Sequence, residues 1–242
     1  MSIMRPLLIG SVLAVATLLT GCATNAAAPG DAPESPTPTP TEPSISDEWT
    51  APPPSLENAT VVWLDGGKSL GVVTWGSGSR SCYPVIQDVT VANQDVTVAL
   101  AGPTVNGVCT EDLREQLILV GLPEGVDSKT AATVKLTTAE ETQEIALAPR
   151  PADAATTPAG EPSATLTPMG VVLISYGSSS CPPVVDTIDG TTVTFKTIDQ
   201  ACTMDYSPRG TMLQIDGAAV GTQLSLVNLD GAADPLAVTV QN

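Results

Sequence analysis

The chain has 242 residues, 26 acidic against 9 basic side chains, a net charge of −17 and no histidine. That balance argues against a nucleic-acid partner and against electrostatic docking on anionic lipid. The missing imidazole removes His-based general bases and metal ligands from consideration. With aromatic residues at only 3%, any core must be built from Val, Leu, Ile and Ala.

The N-terminus reads MSIMRPLLIGSVLAVATLLTGCATN. Arg5 supplies a short positive region, and Pro6 to Leu19 is an apolar run too short to span a bilayer comfortably, the pattern of a secretion signal over residues 1–21. The run ends in Leu19-Thr20-Gly21-Cys22, which resembles the lipobox of bacterial lipoproteins. That resemblance implies a diacylglycerol on the Cys22 thiol, cleavage before Cys22 and acylation of the new terminus. Two or three acyl chains anchor far more firmly than one. Losing Arg5 with the signal takes the charge from −17 to −18.

Residues 23–58 contain 9 prolines, six acidic residues and no basic one. So few apolar side chains cannot offset the entropy of ordering, and Pro-Thr alternation favours an extended polyproline II conformation. At ~3 Å per residue such a spacer reaches ~100 Å, enough to lift a domain off a membrane into a wall layer. Residues 22–58 are therefore read as the lipidated cysteine followed by a disordered linker.

The remainder is an internal repeat. GVVTWGSGSRSCYPVIQDVTV (Gly71 to Val91) matches GVVLISYGSSSCPPVVDTIDG (Gly170 to Gly190), and VCTEDLREQLILVGL (Val108 to Leu122) matches ACTMDYSPRGTMLQIDG (Ala201 to Gly217). Both copies keep the order Gly-Val-Val, aromatic-Gly-Ser, Ser-Cys-x-Pro-Val, Cys-Thr-x-Asp. Between them APRPADAATTPAGEPS (Ala148 to Ser163) reads as a linker over about 150–162. Two homologous domains are placed at 59–149 and 163–242.

Each copy reads as all-β. Apolar residues alternate in DVTVAL, ATVKLT and EIALA of the first copy and in TVTF, QLSLVNL and LAVTV of the second, the period of half-buried strands. Seven strands are expected in the first copy, near 60–64, 70–76, 84–91, 95–101, 116–122, 132–137 and 143–149. That count in so short a segment predicts a small two-sheet β-sandwich, Ig-like in general architecture. The pairs Asp65-Gly66, Asp189-Gly190, Asp216-Gly217 and Asp230-Gly231 suit tight turns with positive φ. Glu111 to Leu117 competes between strand and a helical turn.

Five cysteines are an odd number for an exported protein. Lipidation of Cys22 leaves Cys82, Cys109, Cys181 and Cys202, an even set for an oxidising compartment. If consecutive strands run antiparallel, Cys82 and Cys109 fall at one end of the first sandwich and Cys181 and Cys202 at one end of the second. Pairing within each domain is then geometrically reasonable, although sequence alone does not prove connectivity. Each closed loop should contribute ~3 kcal/mol in the chain-entropy account.

Ser77, Ser79 and Ser81, with Ser178, Ser179 and Ser180, lie in a strand-to-strand loop with no histidine for a triad and no following helix, so the motif is not a nucleophile elbow. Asp112 and Asp205 recur in Cys-Thr-x-Asp. Their expected role is to accept backbone N–H bonds within the stapled loop, or to pair with Arg114 and Arg209. Together Ser77, Ser79, Asp112, Ser178, Ser179 and Asp205 make the candidate loop surface. Trp75 and Tyr176, at matching positions, are expected as core plugs or loop supports. No cofactor-binding or metal motif is present.

This combination of lipobox, Gly-Ser-Ser-Ser-Cys-Pro and Cys-Thr-x-Asp elements resembles small tandem-β-domain lipoproteins of high-GC Gram-positive bacteria, a resemblance that brings no established activity. It implies a chain held by its lipid on the extracytoplasmic face of the cell membrane, with an envelope protein or cell-wall ligand as partner. The expected function is a non-enzymatic binding or structural module. The competing expectation is an envelope enzyme or accessory factor using acidic residues at the stapled loops; Met204 standing where the first copy has Glu111 weakens it.

Overall fold

A computed structural model describes residues 54–103, 109–152, 154 and 157–242. The segment read as a signal, Cys22 and nearly all of the segment read as a spacer lie outside the described residues. What is described is all-β, with fourteen strands and three short 3-10 turns among the described residues.

In the first half the strands are β1 (Ser55–Leu64), β2 (Ser69–Ser77), β3 (Val85–Ala92), β4 (Asp95–Ala101), β5 (Leu113–Gly121), β6 (Ala132–Thr137) and β7 (Thr142–Leu147). In the second half they are β8 (Ser163–Thr167), β9 (Gly170–Gly177), β10 (Val185–Asp189), β11 (Thr192–Phe195), β12 (Ser207–Leu213), β13 (Gln223–Val227) and β14 (Leu236–Gln241). All seven strands expected in the first half are present, within a few residues at each end. β1 begins at Ser55, inside the segment read as spacer, because Ser55 pairs with Trp75 across an irregularity that holds Asn58 at φ 61°. The Glu111 to Leu117 segment resolves as strand: β5 pairs along its whole length with β2.

The halves share one pairing scheme. β1-β2-β5 and β3-β4-β6-β7 form two sheets in the first half, and β8-β9-β12 and β10-β11-β13-β14 repeat that order in the second. One pair in each half, β4 with β6 and β11 with β13, is parallel; the other pairs within these groups are antiparallel. The chain therefore crosses between sheets through β5 and β12. In the second half β14 also pairs with β8 through Val240↔Ala164 and Gln241↔Thr165, which merges its two sheets into one of seven strands. The edge strands β3 and β10 each carry a register shift near their start, at Ile86/Asp88 and Val185/Thr187. Such bulges blunt a sheet edge against pairing with another chain.

Side-chain alternation explains two of the three cores. Leu70, Val72, Ile118 and Val120 from the three-stranded sheet meet Val96, Val98, Val134 and Leu136 from the four-stranded one. Val171, Leu173 and Leu213 meet Val193, Phe195, Leu224 and Leu226 in the same way. The third core lies between the halves, where Leu64 packs with Val172 and Ile174, flanked by Val62, Leu117, Leu119, Tyr176 and Met212. The three-stranded sheets are thus covered on both faces, by their own four-stranded partners and by each other. This accounts for the unbroken buried runs of β2 and β9, Ser69 to Thr74 and Val171 to Ser175. A strand covered on both sides has no polar face to alternate with.

Polar contacts tie the halves together as well. The Tyr176 hydroxyl donates to Asp65 Oδ2 at 2.5 Å, and Arg80 Nη2 donates to the Pro183 carbonyl at 3.2 Å. The connecting segment is pinned to both halves: Lys68 Nζ donates to the Thr157 carbonyl at 2.9 Å, Gln241 Nε2 to Thr157 Oγ1 at 3.3 Å, and the Tyr206 hydroxyl to the Gly160 carbonyl at 2.8 Å. Tyr176 does plug a core, as expected of it, but the core is the one between the halves, and its ring also stacks on Tyr206 at a centroid distance of 5.6 Å. All four Asp-Gly turns have positive φ at the glycine.

Candidate functional site

Each half closes one end with a disulfide, Cys82–Cys109 in the first and Cys181–Cys202 in the second. The pairing follows from chain direction. β2 and β5 run antiparallel with Ser77 opposite Leu113, so the segment leaving β2 and the segment entering β5 meet at one end. β9 and β12 repeat this with Gly177 opposite Ser207. The cysteine nearer the preceding strand is buried in each half, Cys82 at 7% exposure and Cys181 at 2%.

Around each staple the loop serines and the Cys-Thr-x-Asp segment form one hydrogen-bonded cluster. In the first half Thr110 Oγ1 donates to Asp112 Oδ1, the Gly78 amide donates to the same oxygen at 3.1 Å, and Arg114 Nε reaches Asp112 Oδ2 at 2.5 Å. A carboxylate only accepts, so the Thr110 proton is committed to it and Ser77 Oγ, 2.9 Å from Thr110 Oγ1, must donate in turn. In the second half Thr203 Oγ1 donates to Asp205 Oδ1, the Ser179 amide donates at 3.2 Å, and Ser207 Oγ donates to Asp205 Oδ2 at 2.8 Å. Ser178 and Ser180 stand 2.8 Å and 3.2 Å from the Thr203 hydroxyl.

These donors stabilise the charged form of each carboxyl. The Thr110 hydroxyl, with Arg114 and the Gly78 amide, holds Asp112 down at about 2. The Thr203 hydroxyl, with Ser179 and Ser207, holds Asp205 far below the usual carboxylate range. Both groups are solvent-exposed, so the cause is hydrogen bonding rather than burial.

Of the six residues in the candidate loop surface, Ser77 joins Asp112 through Thr110, and Ser178 joins Asp205 through Thr203. Ser179 enters by its amide. Ser79 turns away: its amide donates to Ser77 Oγ at 3.2 Å and its hydroxyl contacts Ser81 at 2.9 Å. The expected alternative partners split. Arg114 pairs with Asp112, but Arg209 does not reach Asp205 and pairs instead with Asp230.

Sequence reasoning missed what lies under the staple. Gln116 and Arg209 each stand seven residues after the second cysteine of their half, and both are buried. Gln116 Nε2 donates to the carbonyls of Ser77 at 2.8 Å and Cys82 at 3.3 Å. Arg209 Nη1 donates to the Cys181 carbonyl at 3.0 Å, and its Nη2 to Ser175 Oγ at 3.2 Å and to Asp230. These side chains cross directly over the motif glycines. A Cβ on Gly76 would sit 2.6 Å from Gln116 Oε1, and one on Gly177 would sit 2.7 Å from Arg209 Nη2. The glycine after the aromatic is therefore room for the buried polar side chain that braces the staple. Spacing from the cysteine was the only signal that could have found Gln116 and Arg209, since their chemistry differs between halves.

Register also corrects the repeat alignment. Trp75 and Tyr176 are equivalent, as are Gly76 and Gly177, but Gly71 pairs opposite Leu119 inside β2 whereas Gly170 pairs opposite Thr167 at the very start of β9. The two Gly-Val-Val elements are offset by two positions, because the β1–β2 turn spans 65–68 and the β8–β9 turn only 168–169.

Among the described residues no group of three His, Cys, Asp or Glu side chains converges as metal ligands do. No described helix is long and apolar enough to cross a membrane. No family model, no curated protein and no solved structure matches the chain.

Proposed function

We propose that this chain is a bacterial lipoprotein, anchored at Cys22 on the extracytoplasmic face of the cell membrane and raised on its Pro/Thr-rich spacer. It displays a duplicated small β-sandwich of Ig-like architecture as a non-enzymatic binding or structural module for an envelope protein or cell-wall ligand. The observation that carries this reading is the use of cysteine. Both stapled ends consume two cysteines each, which leaves Cys22, at the fourth position of Leu19-Thr20-Gly21-Cys22, as the one cysteine of five outside these two disulfides. Structural disulfides belong to oxidising compartments.

The non-enzymatic part rests on the state of the two conspicuous carboxylates. Each accepts several hydrogen bonds and holds its proton far more weakly than an ordinary carboxyl. A base that weak accepts a proton poorly near neutral pH, where general-base catalysis asks for a group matched to the medium. The hydroxyls of Ser77 and Ser178 donate along chains that end on these carboxylates through Thr110 and Thr203, which commits them as structural donors. The shared pairing scheme of the two halves supports duplication of one domain.

Mass spectrometry of the membrane fraction tests the anchor. An acylated N-terminal Cys22 is expected, and Cys22→Ala should move the protein from membrane to medium. A mature terminus elsewhere, or unchanged membrane retention in that variant, would refute it.

A further inference from the structure

The sheets that meet between the halves occupy equivalent places in the two pairing schemes, so the contact could in principle join two like halves. Its side chains are not alike. Leu117 pairs opposite Val73, and Gly210 opposite Ile174, one step along from the equivalent pairs Thr74↔Gln116 and Ser175↔Arg209; Leu117 and Gly210 thus hold the same position in their halves. They also face each other: a Cβ on Gly210 would lie 2.7 Å from Leu117 Cδ2 and 3.2 Å from Leu119 Cγ. A leucine against a glycine fills this point, whereas two leucines would overpack it and two glycines would leave a void.

A second, polar feature has the same asymmetry. Asp65 is 2% exposed and takes the Tyr176 hydroxyl at Oδ2, with Lys68 Nζ 3.9 Å from its other oxygen. The corresponding turn of the second half is Pro168-Met169, which offers no carboxylate. Paired with its own copy, the second half would leave the Tyr176 hydroxyl without this acceptor. Paired with its own copy, the first half would bring a second Leu117 to a place that admits no Cβ.

From this we infer that the contact is keyed for unlike halves: the Leu117–Gly210 fit and the Asp65–Tyr176 bond make each three-stranded sheet accept the other half of the chain and reject a second copy of itself. The tandem pair is then one obligate unit. Arg80, between Ser79 and the Cys82 staple, donates to the carbonyl of Pro183, two residues beyond Cys181, so the two stapled loops are held as neighbours. A partner would meet them as one composite surface. The inference rests on the contact between halves and stands or falls independently of the lipid anchor.

The test uses the whole extracytoplasmic chain with a protease site placed between Ala154 and Thr157, nicked after folding and run on size exclusion with circular dichroism of each fraction. The nicked wild type should elute as one two-fragment species at the mass of a single chain. Gly210→Leu should separate the fragments or lower their co-elution at least tenfold, and Leu117→Gly combined with Gly210→Leu should restore it. Separation of the nicked wild type, or undiminished co-elution in Gly210→Leu, would overturn the inference. If Gly210→Leu aggregates, the exchange variant decides: recovery supports the key, and failure to recover refutes it.

Discussion

Beneath the Cys82–Cys109 bond lies Gln116, and beneath the Cys181–Cys202 bond lies Arg209, reaching the same carbonyl of the first cysteine in each half. The backbone frame is common, but the second solution buries a charge. A buried guanidinium is tolerable only with a counter-ion, and the second half supplies Asp230 at a turn where it sits with φ 54°. The first half needs no counter-ion because an amide is neutral. Outside the staple the charges are reversed in kind: Asp112 is paired with Arg114, whereas Asp205 is satisfied by hydroxyls and amides alone. A staple of this design needs a donor under it and a saturated carboxylate beside it, and the donor, like the group that saturates the carboxylate, is charged in one half and neutral in the other.

Exchanging features between the two staples tests how far they are alike. Gln116→Arg imports the second solution without its carboxylate and should cost about 3–5 kcal/mol in chemical denaturation, as an unpaired buried charge does. A loss under 1 kcal/mol would show that the site solvates the charge. Removing either disulfide by paired Cys→Ala changes should cost ~3 kcal/mol, with near-equal losses because the sequence separations are 27 and 21. Strongly unequal melting shifts would mean that one staple is redundant.

Asp230→Asn strands Arg209. Because the Asp230 side chain is 32% exposed, solvent screening reduces the expected loss to about 2 kcal/mol. Adding Arg209→Gln should recover part of it by converting the second half to the first half's arrangement, and a double-mutant cycle checks this directly. The smallest effect concerns pH. Asp112 has its folded value lowered to about 2, so its contribution is present above the ordinary carboxylate value near 4 and is lost as pH falls from there toward 2. Carboxyl NMR titration should find Asp112 titrating near the bottom of that window and Asp205 still ionised there. Thr110→Val should raise Asp112, the Thr110 hydroxyl being its first cause; an unmoved titration would assign the shift to Arg114 instead.

Much of the fold was legible because its information is local. Alternation in DVTVAL and ATVKLT marks strands with one wet face, Asp-Gly marks turns, and strand direction brings the cysteines to common ends. The repeat drew attention to Thr110, Asp112, Thr203 and Asp205. What could not be read is equally specific. Gln116 and Arg209 share a place but no chemistry, so comparing the copies hid them. The two-residue offset of Gly-Val-Val is invisible in the sequence, because identical letters carry no register. The run Val171 to Ile174 is apolar whether one face or both are covered, and nothing within it says what covers its second face.

Composition, side-chain period and the order of the cysteines are properties of the chain read along its length, and they mark an acidic, histidine-free, Val- and Leu-built all-β protein with one pair of cysteines in each repeat. It takes the folded chain to show that the three-stranded sheets bury each other, that Tyr176 serves Asp65, that Gly210 makes room for Leu117, and that Arg209 belongs to Asp230 rather than Asp205. Those contacts join residues 21 to 111 positions apart, and which distant side chains meet is fixed by packing geometry, for which a single sequence carries no local signal.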